Sequence, residues 1–427
     1  MRKKSTWPRT KLLSTPNLSI LIIGAGPAGL ALSYHLKRMG LAHTLLEAGR
    51  VGESWRSRRW ESLRLVAPNW HLQLPGMPYA GADPDGFLCR DEVVAYIEAY
   101  AQSISAPVRA NLRVHSISAQ PGSDELLVQS ELGSLSATQV VVATGAYRTP
   151  RLPDCATQLS PRLVQLHSMA YQRPAQLPPG AVLVVGSGES GCQIADELRN
   201  AGREVWLAVG RGGWLPRRYR GRDCVAWVTV LGGFEQTVAE LPGGDPRNAP
   251  PGPQLTGQGG GRDLNLHTLA RAGVRLVGHL EGAAGELLRF APDLQQQIAA
   301  ADAVATGFCQ AVDAYVAQQG IDAPQEPPPV YADAIAAGAP TELDLARAKI
   351  SSVIWATGYR PDYSWIKLPV FAADGYPIHT RGVTRWPGLA FLGLEWQHNA
   401  KSHVFQGLGD DAAHLAALIG AQREGRQ

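Results

Sequence analysis

Ser19-Ile20-Leu21-Ile22-Ile23-Gly24-Ala25-Gly26-Pro27-Ala28-Gly29 decides the fold. Four apolar residues of strand length run into a G-x-G-x-x-G turn, and a stretch of helical pattern follows to about Met39. A second strand is expected at 43–47, ending on Glu47-Ala48. Strand, glycine turn, helix and strand make a βαβ start, and in that context the motif reads as a dinucleotide-binding turn. Gly24 permits the tight turn, Gly26 lets the backbone approach a pyrophosphate, and Gly29 lets helix and strand pack closely. Pro27 and Ala28 open the helix, where a missing N–H costs nothing. The helix N-terminus carries roughly half a positive charge and free N–H groups, which suits phosphate.

The pattern recurs. A strand at 181–185 leads into Gly186-Ser187-Gly188-Glu189-Ser190-Gly191, a helix to about Ala201, and a strand at 204–208. Two such units predict an α/β protein with two Rossmann-like, three-layer dinucleotide-binding domains. At 427 residues the chain is too long for one ordinary core. The expected division is a discontinuous first domain at 18–171 and 346–427, with the second domain inserted at 172–345. Helical spacing is expected at 91–102, 293–319 and 410–421, and strands at 352–356 and 389–392. The Trp-, Arg- and Gly-rich stretch 214–264 is the candidate substrate cover. Residues 1–17 are expected to be a flexible extension.

The formal charge of +3 creates no global field for nucleic acid. The five cysteines Cys89, Cys155, Cys192, Cys224 and Cys309 form no C-x-x-C pair and no metal-ligand spacing. Glycines break the one long apolar stretch, 18–32, so neither a leader nor a membrane span is expected. A reducing, cytoplasmic setting follows as the expectation.

The two turns differ at the end of their second strands. Glu47 would accept hydrogen bonds from ribose hydroxyls and repel a 2′-phosphate, so the first site suits FAD or NAD. Two further signals favour FAD: Gly52-Glu53-Ser54-Trp55, and the strand-ending triplet Ala143-Thr144-Gly145. The triplet returns as Ala356-Thr357-Gly358. The second unit has no acid after its second strand. Gly210-Arg211 stands there instead, and an arginine in that place can hold a 2′-phosphate, which favours NADPH. Arg217, Arg218 and Arg220 are candidates to add to that field.

Together these motifs resemble the flavin-containing monooxygenases, in the wide sense that includes YUCCA-type plant enzymes and bacterial relatives. The resemblance also rests on Trp60-Glu61-Ser62-Leu63 and on Leu74-Pro75-Gly76-Met77-Pro78. Of the family's F-x-G-x-x-x-H-x-x-x-Y/F fingerprint, His167 and Tyr171 match, while Pro161 and Leu163 stand where Phe and Gly belong. The Trp-Pro ending of Baeyer–Villiger enzymes is absent. The resemblance implies FAD and NADPH as cofactors, O₂ and a small organic molecule as substrates, and N-, S- or activated C-oxygenation through a hydroperoxyflavin. Some relatives carry an Asn beside the flavin. Val66 aligns there, and Asn69, three residues on, is the candidate substitute. With His167 it completes the catalytic candidates, His167 being read as nicotinamide-side architecture. The rival class is an NADPH-dependent flavoprotein reductase or oxidase that passes electrons to another acceptor. A flavin-binding sensor is a third class. Oligomeric state stays open, a homodimer among the options.

Overall fold

The computed structural model describes residues 19–331, 335 and 338–424. The extension expected at 1–17 lies outside the described residues. Two sheets organise the chain, the first parallel except for its His379–Thr380 and Val383–Thr384 edge and the second parallel throughout. The first has seven strands, in the order His379–Thr380, Val383–Thr384, Leu389–Phe391, Gln139–Val142, Ile20–Ile23, Thr44–Leu46 and Val108–Arg109. The second has five, in the order Val164–His167, Ile350–Trp355, Ala181–Val185, Val205–Ala208 and Arg275–Val277, all parallel.

Each sheet is buried on both faces, which explains why its central strands read as unbroken apolar runs. In the first, Ile20 and Ile22 pack against helices Pro27–Arg38 and Leu408–Glu424. Leu21 and Ile23 point the other way, onto an antiparallel meander of Val114–Ala119, Leu126–Ser130 and Gly133–Ala137. The second sheet repeats the plan. Val182 and Val184 meet helices Glu189–Asn200 and Leu266–Arg271, and Leu183 and Val185 meet the antiparallel set Leu280–Ala284, Leu287–Phe290 and Glu342–Asp344. Helix, parallel sheet and antiparallel sheet thus form three layers twice.

The periodic helices form at Arg90–Ser103, Leu294–Gln319 and Leu408–Glu424. Glu92 accepts from the Cys89 N–H at 2.7 Å, closing the first turn of Arg90–Ser103. Gly320, with φ of +61°, ends the long helix in the left-handed region that glycine tolerates.

One expected boundary is corrected. The division expected from the sequence puts residues 164–167 and 352–356 with the first domain. Both stand in the second sheet, with Ile350–Trp355 paired to Val164–His167 on one side and Ala181–Val185 on the other. The chain crosses between the two units at a short antiparallel ribbon, Thr149–Pro150 beside Tyr359–Arg360.

Candidate active site

The first cleft opens at the C-terminal ends of the strands of the first sheet, with a volume of about 420 Å³. Gly24, Gly26, Pro27 and Ala28 form its floor, with Glu47, Ala48, Glu53, Ser54, Trp55, Ala143, Thr144 and Gly145 around it. The glycines divide the labour. Gly24 has φ of +111°, and a Cβ there would stand 2.5 Å from the Ala143 carbonyl oxygen. A Cβ on Gly29 would overlap the Gly24 carbonyl. A Cβ on Gly26 would meet nothing within 4 Å. Backbone packing therefore requires Gly24 and Gly29, while Gly26 borders open space that a ligand can fill.

That space fits a nucleotide pyrophosphate. Gly26 caps helix Pro27–Arg38 without a side-chain hydrogen bond, leaving first-turn donors to the cleft. The Thr144 hydroxyl is buried without a partner, so a ligand acceptor would satisfy it. Glu47 accepts from the Ala25 N–H at 2.8 Å and the Gly49 N–H at 2.9 Å. Each carboxylate oxygen keeps a lone pair for a ribose hydroxyl. Glu53 lines the cleft but holds Arg50, and that hydrogen-bonded ion pair depresses its pKa. Trp55 packs on Phe405 at 5.6 Å, walling the far end of the cleft.

The second turn repeats this geometry. Gly186 has φ of +103°, with its virtual Cβ 2.5 Å from the Ala356 carbonyl oxygen. Gly191 abuts the Gly186 carbonyl, and Gly188 faces open space. Each Ala-Thr-Gly triplet therefore backs one glycine turn: 143–145 serves the first, 356–358 the second. The Ser187 hydroxyl accepts from the Gly210 N–H at 3.1 Å, and Gln254 donates to the Ser187 carbonyl at 2.7 Å, fixing this turn from two sides. Thr357, unlike Thr144, spends its hydroxyl on the Arg151 carbonyl.

The structure commits the side chains of both catalytic candidates, correcting Asn69 and leaving His167 the architectural role expected of it. Asn69 is buried, its amide donating to the Asp83 carbonyl at 2.8 Å and its carbonyl accepting from the Leu88 N–H at 2.7 Å. It fastens the 69–88 loop and presents no free group. His167 Nδ1 accepts from the Met169 N–H at 3.1 Å, so Nε2 carries the proton and donates to the Gly358 carbonyl at 2.9 Å. Burial lowers its pKa. A neutral imidazole with both nitrogens spent is a fastener of the second triplet, not a base.

The basic run also resolves. Arg211 is exposed beyond the strand end. Arg217 is buried in a bidentate pair with Asp223 and lies 4.6 Å from the Phe87 ring centre. Arg218 donates to the Gly261 carbonyl and Arg220 pairs with Asp313. Of the four, Arg211 alone keeps its guanidinium toward solvent and uncommitted in the described contacts.

Sequence reading missed Arg59 and Tyr147, which line the first cleft. Arg59 lies 5.5 Å from the Trp55 ring centre and 5.6 Å from that of Tyr147. Glu189 faces Arg59 and Arg217; burial pushes its carboxyl up to about 7 against the pull of both arginines. Tyr147 and His403 line the same cleft. Arg59 stands in a run of arginines with no spacing signal, and the site is assembled by contacts far apart in sequence.

The 214–264 stretch reaches across to the first unit. The Val238 N–H donates to the His398 carbonyl at 2.9 Å and Ala400 to Gln236 at 3.0 Å. Lys401 pairs with Glu235 at 2.6 Å and Arg247 with Asp374 at 2.6 Å. Phe234 packs 4.9 Å from His71, whose pKa burial lowers to about 4.

Among the described residues no helix is long and apolar enough to cross a membrane, and no group of metal-ligating side chains occurs.

Known proteins share this plan. The family model described as pyridine nucleotide-disulphide oxidoreductase matches residues 21–229. An uncharacterized CzcO-like oxidoreductase of Geobacillus kaustophilus is 33% identical over 404 residues, 93% of this chain and 97% of that one. The indole-3-pyruvate monooxygenase YUCCA1 of Oryza sativa subsp. japonica is 31% identical over 191 residues, 44% of this chain and 47% of that one. The solved flavin-containing monooxygenase from Stenotrophomonas maltophilia matches with a TM-score of 0.64 at 22% identity, over 95% of this chain and 99% of that one. The chain belongs to the CzcO-like oxidoreductases and shares its fold with the flavin-containing monooxygenase.

Proposed function

We propose that the chain binds FAD in the first cleft and NADPH at the second glycine turn, and oxygenates a small organic molecule at nitrogen, sulfur or an activated carbon. One observation carries the reading: the glycine cradle occurs twice, each copy backed by its own Ala-Thr-Gly triplet and each leaving its middle glycine, Gly26 or Gly188, against open space. FAD supplies the redox chemistry when bound, accepting hydride from NADPH and delivering electrons to O₂.

The chain's own residues bind, orient and exclude water. The helix at Pro27 and the Glu47 carboxylate hold the two ends of the adenosine diphosphate half. Arg211 selects the 2′-phosphate. Trp55, Tyr147 and Phe405 form an apolar wall with Arg59 between two of the rings. The 234–240 segment, docked on 398–401, closes the side where the two units meet and shields the reacting groups from bulk water. None of the five cysteines is among the residues lining the first cleft, which leaves dithiol exchange by the chain's own thiols without a nucleophile there.

The test follows the electrons. FAD-loaded protein is mixed with NADPH under anaerobic conditions, then given ¹⁸O₂ with a panel of amines, thioethers and aromatic keto acids. Flavin bleaching followed by one labelled oxygen atom in an organic product is the expected result. Bleaching with all consumed oxygen recovered as peroxide, whatever the panel member, would replace the monooxygenase by an oxidase or reductase.

A further inference from the structure

Arg59 is a cation held in place by rings rather than by an acid. It lines the first cleft, whose far end is walled by Trp55 on Phe405. Its guanidinium carbon lies 5.5 Å from the Trp55 ring centre and 5.6 Å from that of Tyr147. A guanidinium meets an aromatic ring through its planar face, which leaves the N–H groups on its edge to grip an oxyanion in a bidentate pair. Of the five N–H donors, one is spent, on the Arg58 carbonyl at 3.2 Å.

The surroundings supply no partner for the charge. The preceding arginines are paired, Arg50 with Glu53 and Arg56 with Glu98. Among the described residues no carboxylate forms an ion pair with Arg59. Two acids line the cleft, Glu47 and Glu53. Glu47 accepts from the Ala25 and Gly49 N–H groups, and Glu53 holds Arg50. The phosphates of the two dinucleotides have their own seats, at the glycine turns and their helices. An unpaired, pre-positioned cation beside Trp55, Tyr147 and Phe405 is left for an anion that belongs to neither nucleotide and is attached to an apolar body.

We propose that Arg59 sets the substrate class: it takes the carboxylate of the organic substrate in a bidentate pair, and that substrate is a carboxylic acid with an aromatic or apolar body. The proposal rests on the reading of the first cleft as the FAD site. Two rings fix the guanidinium before the ligand arrives, so little side-chain freedom is lost on binding. A lysine would supply the charge without the fork or the stacking face.

The experiment begins with FAD retention, read from the absorbance of the purified protein. FAD-loaded wild type, Arg59→Met and Arg59→Lys are then titrated by calorimetry, with NADP⁺ present, against 3-phenylpropionate and 3-phenylpropionamide, the same body without the charge. Wild type should bind the acid roughly ten- to a hundredfold more tightly than the amide. Arg59→Met should bind the two alike to within about threefold, and Arg59→Lys should fall between. FAD retention and NADP⁺ affinity should stay within about threefold of wild type in both variants. Equal binding of acid and amide by wild type, no binding of the acid at millimolar concentration, or an acid preference that survives Arg59→Met would overturn the proposal. So would a loss of FAD retention or NADP⁺ affinity in both variants, which would assign the guanidinium to a nucleotide phosphate. If Arg59→Met fails to fold, the acid-to-amide ratio of Arg59→Lys decides, an unchanged ratio counting against the proposal. If wild type retains no FAD, the reading of the cleft falls first, and the substrate class falls with it.

Discussion

The two glycine turns are close to superimposable in design and unlike in chemistry. In both, the first glycine adopts a positive φ under an alanine carbonyl, the third touches the carbonyl of the first, and the second borders empty space. Around that shared backbone the side chains diverge. The first has Pro27, Glu47 and the unspent Thr144 hydroxyl; the second has Glu189, Arg211 and a Thr357 already committed to Arg151. Backbone sterics thus specify that a dinucleotide fits, and a few side chains specify which one.

The sharpest way to break this comparison is to separate the glycines that pack from those that face ligand. Gly29→Ala and Gly191→Ala place a methyl into backbone and should each cost more than about 2 kcal/mol of stability, read as a lowered thermal midpoint of the ligand-free protein. Gly26 and Gly188 have ordinary negative φ values, −83° and −67°. Alanine there should shift the ligand-free midpoint by less than about 2 °C. Gly26→Ala should nonetheless lower FAD retention at least roughly tenfold, and Gly188→Ala the affinity for NADP⁺, a loss of about 1.4 kcal/mol or more in each case. Equal destabilisation by all four variants would mean that the open space is not a ligand site.

Arg211→Ala sharpens the contrast with Glu47. Losing one charge-assisted contact of about 1.5–3 kcal/mol should lower the NADPH-over-NADH preference roughly ten- to a hundredfold in kcat/KM. An unchanged ratio would move 2′-phosphate recognition elsewhere. The smallest effect is expected at His167. Removing a fastener in His167→Ala should cost about 1–2 kcal/mol of stability and leave the pH profile of kcat unchanged in shape. Loss of a titrating limb from that profile would make His167 a base instead.

The features that sequence reading captured are those governed locally. Glycine spacing, apolar run length and helical period each act over a few residues, and they located both turns and the three longest helices. What escaped was non-local. Strand Ile350–Trp355 has an apolar pattern that suits either buried sheet, and only pairing with partners more than 160 residues away assigns it to the second. Asn69 looked available because its consumers, the Asp83 carbonyl and the Leu88 N–H, are backbone groups that carry no side-chain signature. Arg217 looked like part of a phosphate field, yet Asp223 claims its charge through a hairpin that brings the two side by side.

The ribbon joining the two units makes the second separable from the first. Thr149 and Pro150 lie beside Arg360 and Tyr359, so the chain leaves the first unit and re-enters it at neighbouring points. Deleting what lies between would leave two ends already side by side, needing only a tight turn to rejoin. The two cradles, alike in backbone, thus stand on units joined where the chain leaves and re-enters at one narrow crossing.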